Sequence, residues 1–250
     1  MPAVENPLIR KLQNFVRLSA EDRTAIESLS GARVRQFGVR EDLIREGDRP
    51  EHINLFLSGW ACRYKILADG RRQIVSFFLP GDLCDHNVFI LREMDHSIGT
   101  LTPAVVAEIG RNDMDQVTLR HPRITQAFWW ETLVNAAVQR EWAVNLGQRD
   151  AVERIGHLFC ELYIRLASVG LARDNSCDLP LTQSDLADAT GLSAVHVNRS
   201  LQDLRAANLI IFKGKVLTIP DLTALQAASL FNRNYLHLDR LGRHLDANDG

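Results

Sequence analysis

The sequence has no run of apolar residues close to the ~20 that a membrane helix needs, so no membrane partner is expected. Its first residues, MPAVENPLIRKLQ, lack the apolar centre of a signal peptide. A cytoplasmic protein is therefore expected. Cysteine is scarce: Cys62, Cys84, Cys160 and Cys177 lie far apart and form no CxxC pair, which excludes a zinc ribbon or a disulfide scaffold. Charge of one sign is also lacking. With 29 Lys and Arg against 31 Asp and Glu, the net charge of −2 leaves no overall footprint for nucleic acid. Any claim of that kind must come from local features. What is present is ordinary globular material, 46% hydrophobic and 24% charged over 250 residues, enough for one large or two average domains.

Residues 7–29 read as two short helices. Pro7 opens the first, and Ser19 with Asp22 forms a capping signal for the second. From Ala32 to Gly110, short runs of strand character follow one another: Arg33–Phe37, Asp42–Arg45, Ile53–Leu57, Ala61–Leu67, Gln73–Leu79 and Ala104–Ile109. Turn signals separate them, and Asp69-Gly70 between two such runs marks a hairpin. Many short strands with regular turns predict a β-roll, sandwich or barrel.

After Arg111 the pattern becomes helical. A long Pro-free stretch runs from Pro122 to about Leu146 with two apolar faces. One carries Trp130, Leu133, Ala137 and Val144, and the other Ile124, Phe128, Val138 and Trp142. A helix apolar on two sides needs two partners, and a second copy of the same helix supplies one of them in a homodimer. Gln148-Arg149-Asp150 marks a boundary, Val152–Val169 is an amphipathic helix, and Arg173–Asp178 reads as a polar loop.

Residues 181–219, LTQSDLADATGLSAVHVNRSLQDLRAANLIIFKGKVLTI, carry the functional signal. Thr182 with Asp185 caps a first helix that starts at Gln183, Gly191 supplies a tight turn, and Ser193 caps a second helix running to about Asn208. Ile210–Phe212 and Val216–Ile219, joined through Lys213-Gly214-Lys215, read as a wing. On the second helix, Val197, Leu201 and Leu204 face inward, so Val195, Arg199 and Gln202 face outward, flanked by His196 and Asn198. Arg and Asn make bidentate contacts to guanine and adenine edges, and Val195 suits a thymine methyl. Ser193 and the helix start suit a phosphate. Double-stranded DNA is the expected partner. Basicity is modest, so affinity is expected to need two half-sites held by a dimer.

The order of parts resembles the Crp/Fnr family, most specifically in IREGDRPEHINLFLSGWACRYKILADGRRQIVSFFLPGD and LTQSDLADATGLSAVHVNRSLQDLRAANLI. The resemblance implies an α+β fold with three parts. These are a sensory, jelly-roll-like β-roll over residues 1–120, a dimerisation helix over 121–148, and a winged helix-turn-helix with a C-terminal extension over 149–250. It also implies a regulator that reads a near-palindromic promoter site and contacts RNA polymerase. Family members that bind cyclic AMP carry a Gly-Glu pair followed by an Arg-Ser pair. The matching stretch here, GDLCDHNVFILREMDHSIGT, has Asp85 for the glutamate and His96-Ser97 near the place of the arginine. Gln139-Arg140 stands where a hydroxyl pair receives the base. Cyclic AMP is therefore not the expected effector, because a cyclic phosphate needs a charged partner, and the effector stays unidentified. No cysteine precedes Cys62, which excludes the N-terminal iron–sulfur centre of the oxygen-sensing branch.

Cys84-Asp85-His86 lies near the place where haem-based carbon monoxide sensors of the family put axial ligands, and Pro2 follows the initiator methionine as it does there. A haem-based gas sensor, or redox sensing through Cys84, is the alternative reading. Many family members have a glutamate where this chain has Val195, while Arg199 keeps its matching place, so the half-site should retain a guanine and differ elsewhere. The roll resembles a cupin barrel, but His52, His86 and His96 include no His-x-His pair, so no metal site and no enzyme are expected. The tail LTALQAASLFNRNYLHLDRL reads as one or two amphipathic segments covering the DNA-binding domain, with Asp246–Gly250 disordered.

Overall fold

The structure, a computed structural model, describes residues 5–31, 33–86 and 88–238. Pro2 and the terminal stretch Asp246–Gly250 lie outside the described residues. The chain divides into two compact units. One comprises residues 1–64, 77–136 and 237–250, and the other residues 65–76 and 137–236.

In the first unit, α1 (Pro7–Leu12) begins with Pro at its first position, where a missing N–H costs nothing, and Asn6 Oδ1 accepts from Leu8 N at 2.9 Å. Helix α2 (Ala20–Gly31) carries the expected cap: Asp22 N donates to Ser19 Oγ and Ser19 N to Asp22 Oδ2.

The strands are β1 (Val34–Phe37), β2 (Asp42–Ile44), β3 (Ile53–Ser58), β4 (Ala61–Ile66), β5 (Arg72–Phe78), β6 (Leu83–Cys84), β7 (Ser97–Thr100) and β8 (Ala104–Ile109). They form two four-stranded sheets, ordered β1-β8-β3-β6 and β2-β7-β4-β5. Both sheets feed one core of Phe37, Phe56, Ala61, Phe78, Cys84, Ile98, Ala104 and Val106, with Leu43 and Ile44 packed against it. Two of the strands, β6 and β7, were not anticipated. Neither was α3 (Arg111–Arg120), of which only Met114 is buried.

Helix α4 (Pro122–Gln148) follows. On its inner side Ile124, Phe128, Val138 and Trp142 are buried, as the sequence predicts. The other apolar stripe matches expectation at Leu133 and Val144 and departs from it at Trp130 and Ala137. Trp129 is 71% exposed and Leu133 68%, whereas Ala137 is buried and Trp130 stacks on Phe15 at 5.9 Å. The reason is polar. Glu131, one residue along from Trp130, must face inward to meet its partners.

Those partners are Lys11, whose Nζ is hydrogen-bonded to Glu131 and reaches Asp82 Oδ1 at 2.6 Å, and His86, whose Nε2 lies 2.9 Å from Glu131 Oε2. Burial alone pushes the Glu131 carboxyl up, but the Lys11 and His86 charges outweigh it and bring it down to about 2. Burial likewise disfavours the Lys11 ammonium, yet the Asp82 and Glu131 carboxylates raise it above its usual value.

In the second unit, α5 (Ala151–Ser168) starts at a complete capping box of Asp150 and Glu153. Strands β9 (Ala172–Arg173) and β10 (Ser176–Asp178) form a hairpin where a loop was expected. Asp174 and Asn175, both with positive φ (49° and 58°), make its tight turn. Then come α6 (Gln183–Thr190), α7 (Ala194–Ala206), β11 (Ile211–Lys213), β12 (Val216–Thr218) and α8 (Leu222–Ala228). The third sheet is ordered β11-β12-β10-β9. No helix among the described residues is long and apolar enough to cross a membrane.

The Lys11–Glu131 pair gives a stability test. A carboxylate whose value is depressed in the folded state stabilises above its unfolded value near 4.5, and that stability is lost as pH falls toward about 2. Lys11→Met strands the buried charge and should cost about 3–5 kcal/mol in urea unfolding at neutral pH, and Lys11→Met with Glu131→Gln should recover part of the loss. A single variant within ~1 kcal/mol of the parent would show that the pair is not structural.

Candidate nucleic-acid interface and effector cleft

The reader is assembled from local signals. Thr182 Oγ1 accepts from Asp185 N at 3.1 Å while Asp185 Oδ2 accepts from Thr182 N at 3.0 Å, closing the capping box of α6. Gly191 ends α6 at φ 64°, the left-handed conformation that glycine adopts without strain. Ser193 caps α7 by accepting from His196 N at 3.3 Å. Val197, Leu201 and Leu204 are buried, so the opposite face presents Val195, Asn198, Arg199 and Gln202 to solvent. Val195 is 77% exposed on this face.

The side chains of Asn198, Arg199 and Gln202 make no hydrogen bond among the described residues. His196 differs: its Nδ1 lies 3.1 Å from Ser193 Oγ, so the ring folds back over the cap. Thr182 and Gln183 are exposed at the start of α6.

The wing is a two-residue hairpin. Lys213 pairs with Val216, so Gly214 and Lys215 alone form the turn, with φ 60° and 65°. Two successive left-handed residues define a type I′ turn, whose twist matches the strands. Arg205 Nη2 donates to Phe212 O at 3.1 Å and fastens the wing to α7. The Phe159 ring meets Phe212 edge-on at 5.8 Å and fastens it to α5. The tip of the β4–β5 hairpin meets α6 in the same unit. Arg72 Nη1 stands 3.6 Å from Asp188 Oδ2, and Gln73 Nε2 donates to Ala189 O at 3.3 Å.

In the roll, a cleft of about 300 Å³ is lined by Arg63, Asp85, His86 and Val88, by Ile90 and Leu91, and on α4 by Thr132 and Asn135. Of the residues expected there, Asp85 and His86 line it. His96 reaches it indirectly, with Nε2 3.0 Å from Arg63 Nε and 3.2 Å from Asp85 Oδ2. Ser97 lies in β7, where its hydroxyl accepts from Glu46 N at 3.0 Å. Gln139 and Arg140 are not among the lining residues. Gln139 Nε2 donates to Val75 O at 2.9 Å, and Arg140 is exposed. They sit one to two turns beyond Thr132 and Asn135 on α4.

Sequence reasoning missed Arg63. It alternates with Ala61 on the core-facing side of β4, and a charged residue in that register is the signal that would have found it. Arg63 Nη2 contacts Asp85 Oδ1 at 2.6 Å, and the guanidinium lies over the Phe78 ring at 5.1 Å. Burial pushes the Asp85 carboxyl up, but the His96 hydrogen bond and the Arg63 charge hold it below the usual range.

Cys84 does not converge with His86. Its side chain belongs to the apolar core, whereas His86 turns to Glu131 and to the Phe128 ring, 5.2 Å away. Burial, with the Asp85 and Asp82 carboxylates, pushes the Cys84 thiol well up and disfavours the thiolate. These two residues do not fit a pair of haem ligands. The other three cysteines are buried as well and form no disulfide.

A jelly-roll-like β-domain, a long helix with one side exposed, and a winged helix-turn-helix together define a transcription regulator that binds DNA. Comparison with known proteins agrees. Residues 34–121 match the cyclic nucleotide-binding domain and residues 153–228 the Crp-like helix-turn-helix domain. The transcriptional activator protein FnrL of Cereibacter sphaeroides is 27% identical over 210 residues, 83% of this chain and 83% of that protein. The anaerobic regulatory protein of Haemophilus influenzae is 27% identical over 183 residues, covering 73% and 71%. Among solved structures, FixK2 from Bradyrhizobium japonicum shares the fold with a TM-score of 0.69 at 22% identity, over 78% of this chain and 96% of that one. The chain belongs to the Crp/Fnr family of transcriptional regulators.

Proposed function

We propose that the chain works in the cytoplasm as a homodimer that reads a near-palindromic promoter site with α7 and then contacts RNA polymerase. Its functional segments are the roll over residues 1–120, the dimer helix over 121–148 and the reader over 149–250. The reading gives the chain no catalytic role. The observation that carries it is the outward face of α7, where Val195, Asn198, Arg199 and Gln202 stand exposed beside a wing tipped by Lys213 and Lys215. Thr182, Gln183 and Ser193 at the two helix starts take backbone phosphates. The solvent-facing stripe of Trp129, Leu133 and Val144 on α4 takes the second copy, because large apolar residues in a row on one helix face ask for a partner. Replacing Trp129 and Leu133 together by glutamate should give monomers in sedimentation, and an undiminished dimer would refute the seam.

The cleft at Arg63 is the effector site in this reading, and the effector is neither cyclic AMP nor a haem-bound gas. Among the described residues that line the cleft, Arg63 is already paired with Asp85 and His86 with Glu131, and Gln139 and Arg140 are not in the lining. A cyclic phosphate would have to displace a carboxylate to reach the guanidinium. Calorimetry should show no micromolar binding of cyclic AMP and no tighter DNA binding in its presence. Either effect would overturn this assignment.

Base reading is tested by comparing two arginine and lysine variants on a site selected from random DNA. Arg199 can donate to both O6 and N7 of a guanine, and losing that contact should cost about 1–3 kcal/mol per half-site. Lys215 would meet a phosphate, so its loss should weaken all sequences alike and lower the salt slope by about one unit. Arg199→Ala should therefore lose discrimination at the guanine, whereas Lys215→Ala should keep it. Equal weakening of specific and random DNA by both variants would make Arg199 a backbone contact.

A further inference from the structure

The chain continues past residue 228, where the match to the Crp-like helix-turn-helix domain ends. Of the next eight residues, Ser229, Phe231, Tyr235 and Leu236 are buried. Ser229 is buried, with its Oγ donating to Leu225 O at 2.7 Å and lying 3.8 Å from Cys160 Sγ. It seats directly on the α5 backbone at Gly156, where an added Cβ would meet Ser229 Cβ at 2.9 Å. Phe231 N donates to Gln226 O at 2.9 Å, and a single 3-10 turn over Arg233–Leu236 then buries Tyr235 and Leu236.

The segment converges with α4 and α5 on one atom. Tyr235 OH donates to Glu161 Oε2 on α5 at 2.9 Å, and Trp142 Nε1 of α4 donates to the same oxygen at 3.0 Å. Arg165 reaches the other oxygen at 3.3 Å. Beside this carboxylate the Phe231 and Tyr235 rings cluster with the His157 ring of α5, at centroid distances of 4.9 and 5.9 Å from it and 5.8 Å from each other. Glu141 of α4 lies 3.3 Å from His157 Nε2 and accepts from Arg149 at 2.6 Å, and Arg149 in turn donates to Leu230 O at 3.0 Å. Burial pushes Glu161 above the usual carboxyl range, and burial with the Arg149 charge brings His157 down to about 3. A buried carboxylate is costly unless its lone pairs are met, so each donor here is held firmly.

The mechanical sense follows from where these contacts lie. Helices α4 and α5 are joined by only Arg149 and Asp150. Arg154 holds the apex of that joint, with Nη2 donating to Leu146 O and Arg149 O at 3.0 Å each. Glu161 lies about 15 Å along α5 from the joint, at about 1.5 Å per residue, and Trp142 lies on the opposite arm. A brace far from the apex resists bending better than one at it.

We propose that residues 229–236 are a clamp that sets the angle between α4 and α5, with Tyr235 and Phe231 as positioning residues for DNA reading. The inference rests on the dimeric reading proposed above. In such a dimer α4 carries the shared seam and α5 packs on α7, so the α4–α5 angle sets the separation of the two reading helices. That separation has to match half-sites about 34 Å apart. A loosened clamp spreads the separation without altering α7 itself.

The test uses the full chain with Tyr235→Leu and the milder Tyr235→Phe, which keeps the ring and removes only the donor. Fluorescence anisotropy measures binding to the selected duplex, to versions with the half-sites moved closer or farther by one base pair, and to a duplex with a single half-site. Thermal melts run alongside. Tyr235→Leu should lose about tenfold on the full site, keep its single half-site affinity, and discriminate less between spacings, with Tyr235→Phe intermediate. Equal losses on the full and single sites, with lower melting temperatures, would mean that Tyr235 merely supports folding and would overturn the clamp. An unchanged ratio between the two duplexes in both variants would overturn it as well. A parent protein with no preference for the two-half-site duplex would instead show that the dimeric reading fails, and the clamp would fall with it.

Discussion

Taking a carboxylate out of water is among the costliest things a folding chain does, and each unit of this protein is arranged around one that it has to accommodate. Glu131 decides which side of α4 faces the roll, because only one rotation of the helix brings it to Lys11 and His86. That rotation buries Ala137 and turns Trp129 and Leu133 outward. The exposed apolar stripe is thus a by-product of satisfying a charge.

The two units solve the same problem in opposite ways. Around Glu131 a full ammonium stands in the protein interior, and the carboxyl is held at about 2. Around Glu161 two of the donors are the neutral groups of Trp142 and Tyr235, helped by one guanidinium, and burial wins, so the carboxyl stays above its usual range. A strong charge pair ties α1 and the roll to α4, whereas softer hydrogen bonds tie α4 to α5 and the C-terminal segment.

The reader was legible in the sequence because its instructions are short-range. Thr182 with Asp185, Gly191 at a positive φ and Ser193 each act within a few residues. The wing needed only Gly214-Lys215 between two strands. In the cleft of the roll, Asp85 and His86 were legible but Arg63 was not, for the converse reason. Arg63 comes from a strand 22 residues before Asp85, and nothing local announces that pairing. Strand β7, Ser97–Thr100, is buried at every position and shows no alternation. The Arg173–Asp178 stretch read as a loop because Asp174 and Asn175 are polar, yet those residues suit the left-handed turn of a hairpin. On α4 the spacing showed two apolar stripes but not which residue of each adjacent pair, 129 and 130 or 136 and 137, turned outward. That choice belonged to Glu131, a single buried charge within an otherwise ordinary amphipathic pattern.

The four cysteines bear on how the molecule can be observed. All are buried, and burial pushes the thiols of Cys160 and Cys177 up to about 12, so thiolate is scarce at neutral pH. To a thiol reagent the native surface is blank. One cysteine introduced at the wing tip would then be the single reactive handle on each chain. A dimer labelled there would carry a matched pair of probes and report the distance between its two wings, with no native residue removed.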